Sequence, residues 1–164
     1  MDYLWSPWRY RYVSATAPAV SDPAECLFCA KAESSDDRTN LVVLRGEHNF
    51  ILLNLYPYTS GHLMIAPYAH VATLEAADPA ALDEMMRLAR RADQALRELY
   101  KPDGMNLGMN LGSCAGAGVA GHIHMHVLPR WCGDASFITT VGETRVLPEE
   151  LPVTWERLSG ALKA

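Results

Sequence analysis

The sequence predicts an α+β domain built on an antiparallel sheet, and three observations carry that expectation. Short apolar runs follow one another across connections of only a few residues, which favours antiparallel neighbours. One longer segment repeats its apolar residues at helical spacing between clear start and stop signals. A late segment, GHIHMHVLPRW, alternates histidine with apolar residues at period two, as a strand does.

Taken in order, residues 1–25 read as an arm crowded with Trp5, Trp8, Tyr10 and Tyr12, too aromatic for a free tail. Residues 26–164 read as one domain, with no internal repeat and no linker long enough to divide them. The stretch 30–40 (AKAESSDDRTN) reads as a polar loop. Strands are expected at 41–44 (LVVL), 49–55 (NFILLNL) and 62–67 (HLMIAP), the last two joined by the turn YPYTSG. Asp78 is a good helix N-cap and Pro79 suits the first helical position. Leu82, Met85, Met86, Ala89, Ala92, Leu96 and Leu99 then form the apolar stripe of a helix that Pro102 and Gly104 stop. A strand over 105–111 leads to a glycine-rich loop, 112–121, and on to the histidine strand. A short strand over 137–141 and a short helix over 153–162 complete the expected order.

Size and composition bound the function. The chain has 164 residues, enough for one well-filled core. A net charge of −5 argues against a nucleic-acid polymer as partner but leaves room for a small anion in a locally positive site. No apolar run approaches the roughly 18 residues of a membrane span, so no membrane partner is expected. The N-terminus lacks the apolar core of a signal peptide. Cytoplasmic residence is the expectation, and there cysteines stay reduced.

Three clusters could carry chemistry. On a strand, His122, His124 and His126 point to one face at spacings of roughly 6.5–7 Å, with Ile123, Met125 and Val127 on the other. Neutral imidazole is a nucleophile and its protonated form a general acid, so one ring can attack while its neighbours orient it and supply a proton. In the preceding loop, Gly112, Gly116, Gly118 and Gly121 let backbone N–H groups approach an anion and cradle a phosphate. Cys26 and Cys29 form a C-x₂-C pair suited to tetrahedral zinc, which needs two further ligands. A redox role for the pair is disfavoured because no helix start is evident after it. Cys114 and Cys132 show no ligand spacing.

GHIHMHVLPRW resembles the motif of the histidine triad superfamily, His-φ-His-φ-His-φ-φ with φ apolar. FILLNLYPYTSGHLMIAP is similar to that superfamily's strand–turn–strand with its Gly-His pair, and HVLPRWCGD to a segment of its fragile-histidine-triad branch, the dinucleoside polyphosphate hydrolases. The Trp- and Arg-containing arm, the Ala-Gly-Ala-Gly loop and Pro-Arg-Trp also resemble the bacterial diadenosine tetraphosphate phosphorylases. The similarity spans roughly 26–140. It implies a sheet of about five antiparallel strands with one long helix and one or more short ones, in a homodimer. It implies that His124 attacks the α-phosphorus of a nucleotide, giving a nucleotidyl-histidine released by water or by phosphate. His126 would contact the phosphate or assist the leaving group, and His122 would complete the triad. Asn54 would touch the ribose, the alternative being that it simply caps the turn. Asn110 would lie by the α-phosphate with Gly116, Gly118 and Gly121, and His62 would support the triad's hydrogen bonds. Several branches complete the zinc site with residues matching His70 and His122, making Cys26, Cys29, His70 and His122 a structural set. One departure stands out. The hydrolase branch carries a glutamine just before its triad, where this chain has only Gly118, Val119 and Ala120. That loosens the transfer of the hydrolase mechanism and leaves room for phosphorolysis, for phosphoramidate cleavage or for a module that only binds AMP. Histidine at the third triad position argues against a hexose-1-phosphate uridylyltransferase.

Overall fold

The computed structural model describes residues 26–136, 139, 141–142 and 147–163, so the expected aromatic arm over 1–25 lies outside the described residues. The chain forms a five-stranded antiparallel sheet with helices packed on it, an α+β fold. The elements are α1 (Leu27–Glu33), β1 (Val42–Arg45), β2 (Asn49–Leu53), β3 (Leu63–Pro67), α2 (Pro79–Tyr100), β4 (Gly104–Met109), β5 (Met125–Arg130) and α3 (Leu151–Lys163). The strand order is β1-β2-β3-β5-β4, so the histidine strand is central and β4 is an edge.

Both faces of the sheet are covered, which explains why β2 and β3 are buried at every position and read as unbroken apolar runs. On one face, Ile51, Leu53, Leu63, Ile65 and Val127 pack against α2 and α3. On the other, Phe50, Leu52, Met64 and Ala66 pack against Cys26 and Phe28. The long helix starts and stops as its sequence predicts: the Asp78 side chain accepts the Ala80 N–H at 2.8 Å, and Lys101 closes the helix in the left-handed conformation before Pro102. Its buried stripe includes Leu88, whereas Met86, expected inside, is 58% exposed.

Three expectations are corrected. The supposed loop over 30–40 begins as helix, because α1 runs to Glu33 with Cys26 as its N-cap and Phe28 buried against the sheet. The histidine segment enters the ladder only at Met125, not at His122. Its partner β3 pairs Ile65 with Met125 and then runs into Pro67, which has no N–H to extend the pairing. The Ile123 N–H goes instead to the Val71 carbonyl at 2.8 Å. Within the expected strand over 137–141, Thr139 and Val141 are helical and the other residues lie outside the described set. The Ser136 N–H reaches the Thr139 hydroxyl at 3.4 Å, a local bond typical of a helix start rather than a strand.

Buried Glu84 on α2 locks the turn between β1 and β2. Its carboxylate accepts the N–H of Glu47 at 2.7 Å, of His48 at 2.8 Å and the Asn49 side-chain amide at 2.8 Å. Burial pushes this carboxyl up, but the Asn49 amide and the backbone N–H groups outweigh burial and hold it below the usual carboxylate range. Gly46 is required there, since a Cβ would sit 2.7 Å from a Glu84 carboxylate oxygen. Glu84→Ala leaves these donors unpaired, and the expected loss is about 2–4 kcal/mol of unfolding free energy, measured by urea denaturation.

Candidate active site and metal centre

Although His122 and His124 precede the ladder, their rings gather with that of His126 around the Phe28 side of the sheet. The ring centroids of His124 and His126 are 5.0 Å apart, edge to face, and Phe28 lies 4.8 Å from His124 and 5.2 Å from His122. His62, one residue before β3, brings a fourth ring to 5.1 Å from His126. His62, His122 and His124 are all buried.

Backbone partners fix the protonation pattern of these rings. A carbonyl only accepts and an N–H only donates, so each contact assigns a nitrogen. His124 Nδ1 is 2.9 Å from the His122 carbonyl and must donate, which leaves its Nε2 with a free lone pair. His62 Nδ1 receives the Tyr58 N–H at 3.2 Å and lies 3.3 Å from the Asn54 amide nitrogen. His62 Nε2 therefore carries its proton and donates to His126 Nδ1 at 2.9 Å. His126 in turn carries its proton on Nε2. The cluster thus presents one nucleophilic nitrogen, on His124, beside one N–H donor, on His126.

All of these rings rest neutral. Burial pushes His62 down to about 3, with His126 and His124 adding to the shift. Burial, then His124, brings His126 down to about 4. Burial also lowers His124, against the opposing bond to the His122 carbonyl. The unfolded chain protonates His62 and His126 near 6.5 while the folded chain does not, so the unfolded state binds more protons below that pH. Stability is therefore full above about pH 6.5 and falls as pH drops toward 4. The expected slope is about 1.4 kcal/mol per pH unit for each imidazole. Denaturant unfolding at several pH values checks this, and His126→Asn should flatten the curve.

The sequence-expected phosphate residues lie just past β2, just past β4 and in the glycine loop. Asn54 caps its turn, its side-chain oxygen taking the Tyr56 N–H at 2.9 Å while its amide faces His62, so the capping alternative is realised beside any ligand role. Asn110 lies one residue past the last β4–β5 pair, Met109 with Met125. In the glycine loop, the N–H groups of Ala115, Gly116 and Ala117 bond to the carbonyls of Gly112 and Ser113. Those amides are committed to the loop itself, and Gly118 and Gly121 lie further along it toward His122. Gly112 and Gly116 take φ of +82° and +90°, where a side chain would be strained.

Cys26, Cys29, His70 and His122 converge, with their ligand atoms all within 4.8 Å of one another. Cys26 Sγ is 3.4 Å from His122 Nδ1, and Cys29 Sγ is 3.3 Å from His70 Nδ1 and 3.7 Å from His122 Nδ1. Tetrahedral zinc with ordinary Zn–S and Zn–N bonds would set such S···N edges at about 3.5–3.6 Å. His122 Nε2 donates to the Pro67 carbonyl at 2.8 Å, leaving Nδ1 as the ligand atom. Burial, then the adjacent Cys26, pushes the Cys29 thiol up to about 11, a cost that a bound divalent cation removes. The residues fit a closed, four-coordinate metal site. Although α1 does start at Leu27, contrary to expectation, each thiol faces an imidazole, as a metal set does.

Sequence reasoning missed Phe28 and Tyr58. Phe28 carried a signal, a large apolar residue between two ligand cysteines. Tyr58 acts through its backbone, and its ring stacks 6.0 Å from His126. Tyr58 also lines an open cavity of about 450 Å³ with Ser60, Tyr100, Trp131 and Arg157.

A cluster of histidines carried on a five-stranded antiparallel sheet with helices packed against it marks the histidine triad class of proteins. A family model described as HIT domain matches residues 36–132, and this chain belongs to that family. It is 41% identical over 152 residues to a Mycobacterium tuberculosis protein named AP-4-A phosphorylase, a match covering 90% of this chain and 77% of that one. Among solved structures, a Zn-bound histidine triad family protein from Mycobacterium smegmatis superposes with a TM-score of 0.69 at 28% identity, covering 87% of this chain and 96% of that one. A histidine triad nucleotide-binding protein from Sulfolobus tokodaii, described as hypothetical, superposes at 0.64 with 25% identity, covering 84% of this chain and 92% of that one. Among the described residues no helix is long and apolar enough to cross a membrane.

Proposed function

We propose that this chain cleaves dinucleoside polyphosphates such as diadenosine tetraphosphate and hands the nucleotidyl group to inorganic phosphate. His124 Nε2 attacks the α-phosphorus, the bond from that phosphorus to the bridging oxygen breaks, and ATP leaves. A phosphate oxygen then attacks the nucleotidyl-histidine, giving ADP and freeing the ring. The observation that carries this reading is the bond from His124 Nδ1 to the His122 carbonyl, which leaves Nε2 unprotonated at neutral pH. His126 Nε2–H supplies a donor to the oxygens that gain charge, and the arriving phosphates favour protonation of the ring. The phosphate acceptor, rather than water, is favoured by the likeness to the named phosphorylase and by the lack of a glutamine in the loop.

Zinc is the ion we assign to Cys26, Cys29, His70 and His122, in a structural role. Its donor set matches, and a structural neighbour is described as Zn-bound. The assembly is read as a homodimer.

Incubating the protein with diadenosine tetraphosphate, with and without phosphate, tests the reading. Equal ADP and ATP appearing only with phosphate is the expected result. AMP and ATP formed without phosphate would make the chain a hydrolase. AMP affinity with no turnover and no trapped adduct would reduce it to a binding module.

A further inference from the structure

We propose that Phe28 is a positioning residue for His124, and that the helix carrying it is clamped by the metal ligands on either side. The nucleophile's hydrogen bond fixes one ring nitrogen but still permits the ring to rock about that bond. Two rings limit this motion: Phe28 at 4.8 Å and 36°, and His126 at 5.0 Å and 71°. Phe28 is 1% exposed, so its contact with His124 belongs to the interior of the fold.

Helix α1 cannot hold Phe28 alone. It has seven residues, too few for a helix to persist without tertiary support, and its N-cap Cys26 makes no side-chain capping bond. Its two ends are pinned from outside. At the C-terminal end, Arg45 donates to the carbonyls of Lys31, Ala32 and Ser34 at 3.1, 2.8 and 2.5 Å. At the N-terminal end, the fixed points are the thiols of Cys26 and Cys29, which flank Phe28 and face the His122 and His70 rings. The ligand set therefore reaches the nucleophile twice. His122 offers its ring to the metal set and its carbonyl to His124 Nδ1, and the two cysteines hold Phe28 against the same imidazole. This adds to the structural zinc role a part in setting the orientation of the attacking nitrogen.

The turnover arm of the test rests on the proposed activity, whereas the spectroscopic arm does not. Zinc-loaded protein with ¹⁵N-labelled histidine is compared as wild type, Phe28→Leu and Phe28→Ala. Wild type should show His124 as a single Nδ1–H tautomer. In Phe28→Leu, with zinc content unchanged, that signal should broaden or split, and kcat for diadenosine tetraphosphate should fall about tenfold to hundredfold at constant KM. Phe28→Ala should show the same effects more strongly. A His124 signal as sharp as that of the wild type in both variants overturns the proposal even if the protein turns nothing over. So does loss of zinc in Phe28→Leu, which would make Phe28 a support for the metal site alone.

Discussion

His124→Ala should lower the turnover of diadenosine tetraphosphate by about 10⁴-fold or more and abolish any trapped nucleotidyl adduct. The size follows from what the side chain supplies. Covalent catalysis divides one difficult displacement into two easier ones, and no neighbouring ring can take over the attack. His122 Nδ1 points at the metal set and its Nε2 donates to Pro67. His126 carries its proton on Nε2, because the bond from His62 occupies Nδ1. His126→Asn should act differently: it loses a donor rather than the nucleophile, so turnover should fall by about 10²–10⁴-fold while the adduct still forms. Rapid quench with labelled substrate separates the two cases. Zinc content and melting temperature should change little in His124→Ala, since this ring is no metal ligand. An adduct that survives His124→Ala would remove the covalent reading altogether.

What the sequence made legible follows from the range of each signal. The triad was legible because period two on a strand is local information, although the proline in β3 delays the ladder by three residues in a way visible only once the strands are paired. The long helix was legible because Asp78, Pro79 and Pro102 are adjacent punctuation. Helix α1 was not, since it is short, lacks a capping side chain and is held by Arg45 and the sheet rather than by propensity. The protonation pattern was only half legible. A backbone carbonyl for the other nitrogen of His124 could be expected, but the link from the Tyr58 N–H through His62 to His126 includes a step between residues 64 positions apart. Glu84 looks like an ordinary acidic residue on a helix until the β1–β2 turn is laid over it. In the metal set, Cys26 and Cys29 are evident from spacing, whereas His70 and His122 entered only through family resemblance.

Removing the metal should produce the largest stability change. Chelation of the zinc-loaded protein should lower the melting temperature by about 10–15 °C, from a loss of about 3–5 kcal/mol in a chain of this size. The cost is smaller than in a zinc finger, because the sheet keeps the core packed against α2 and α3 without the ion. It remains large because the four ligands join segments distant in sequence, and the set closes the loop from Cys26 to His122. Without the ion, two thiols and two imidazoles are left facing one another in a largely buried site, and the clamp on α1 is released. The first structural consequence should be local. Amide exchange in α1, including the bond from Ala30 N–H to the Cys26 carbonyl, should accelerate before exchange in β2 or β3. Cys29→Ser should reproduce the shift and make the protein indifferent to chelator, while Cys132→Ser should do neither, because Cys132 is exposed and outside the set. A melting temperature that does not respond to chelator, in protein shown by elemental analysis to have started with one zinc per chain, would mean that the ion does not hold this fold together.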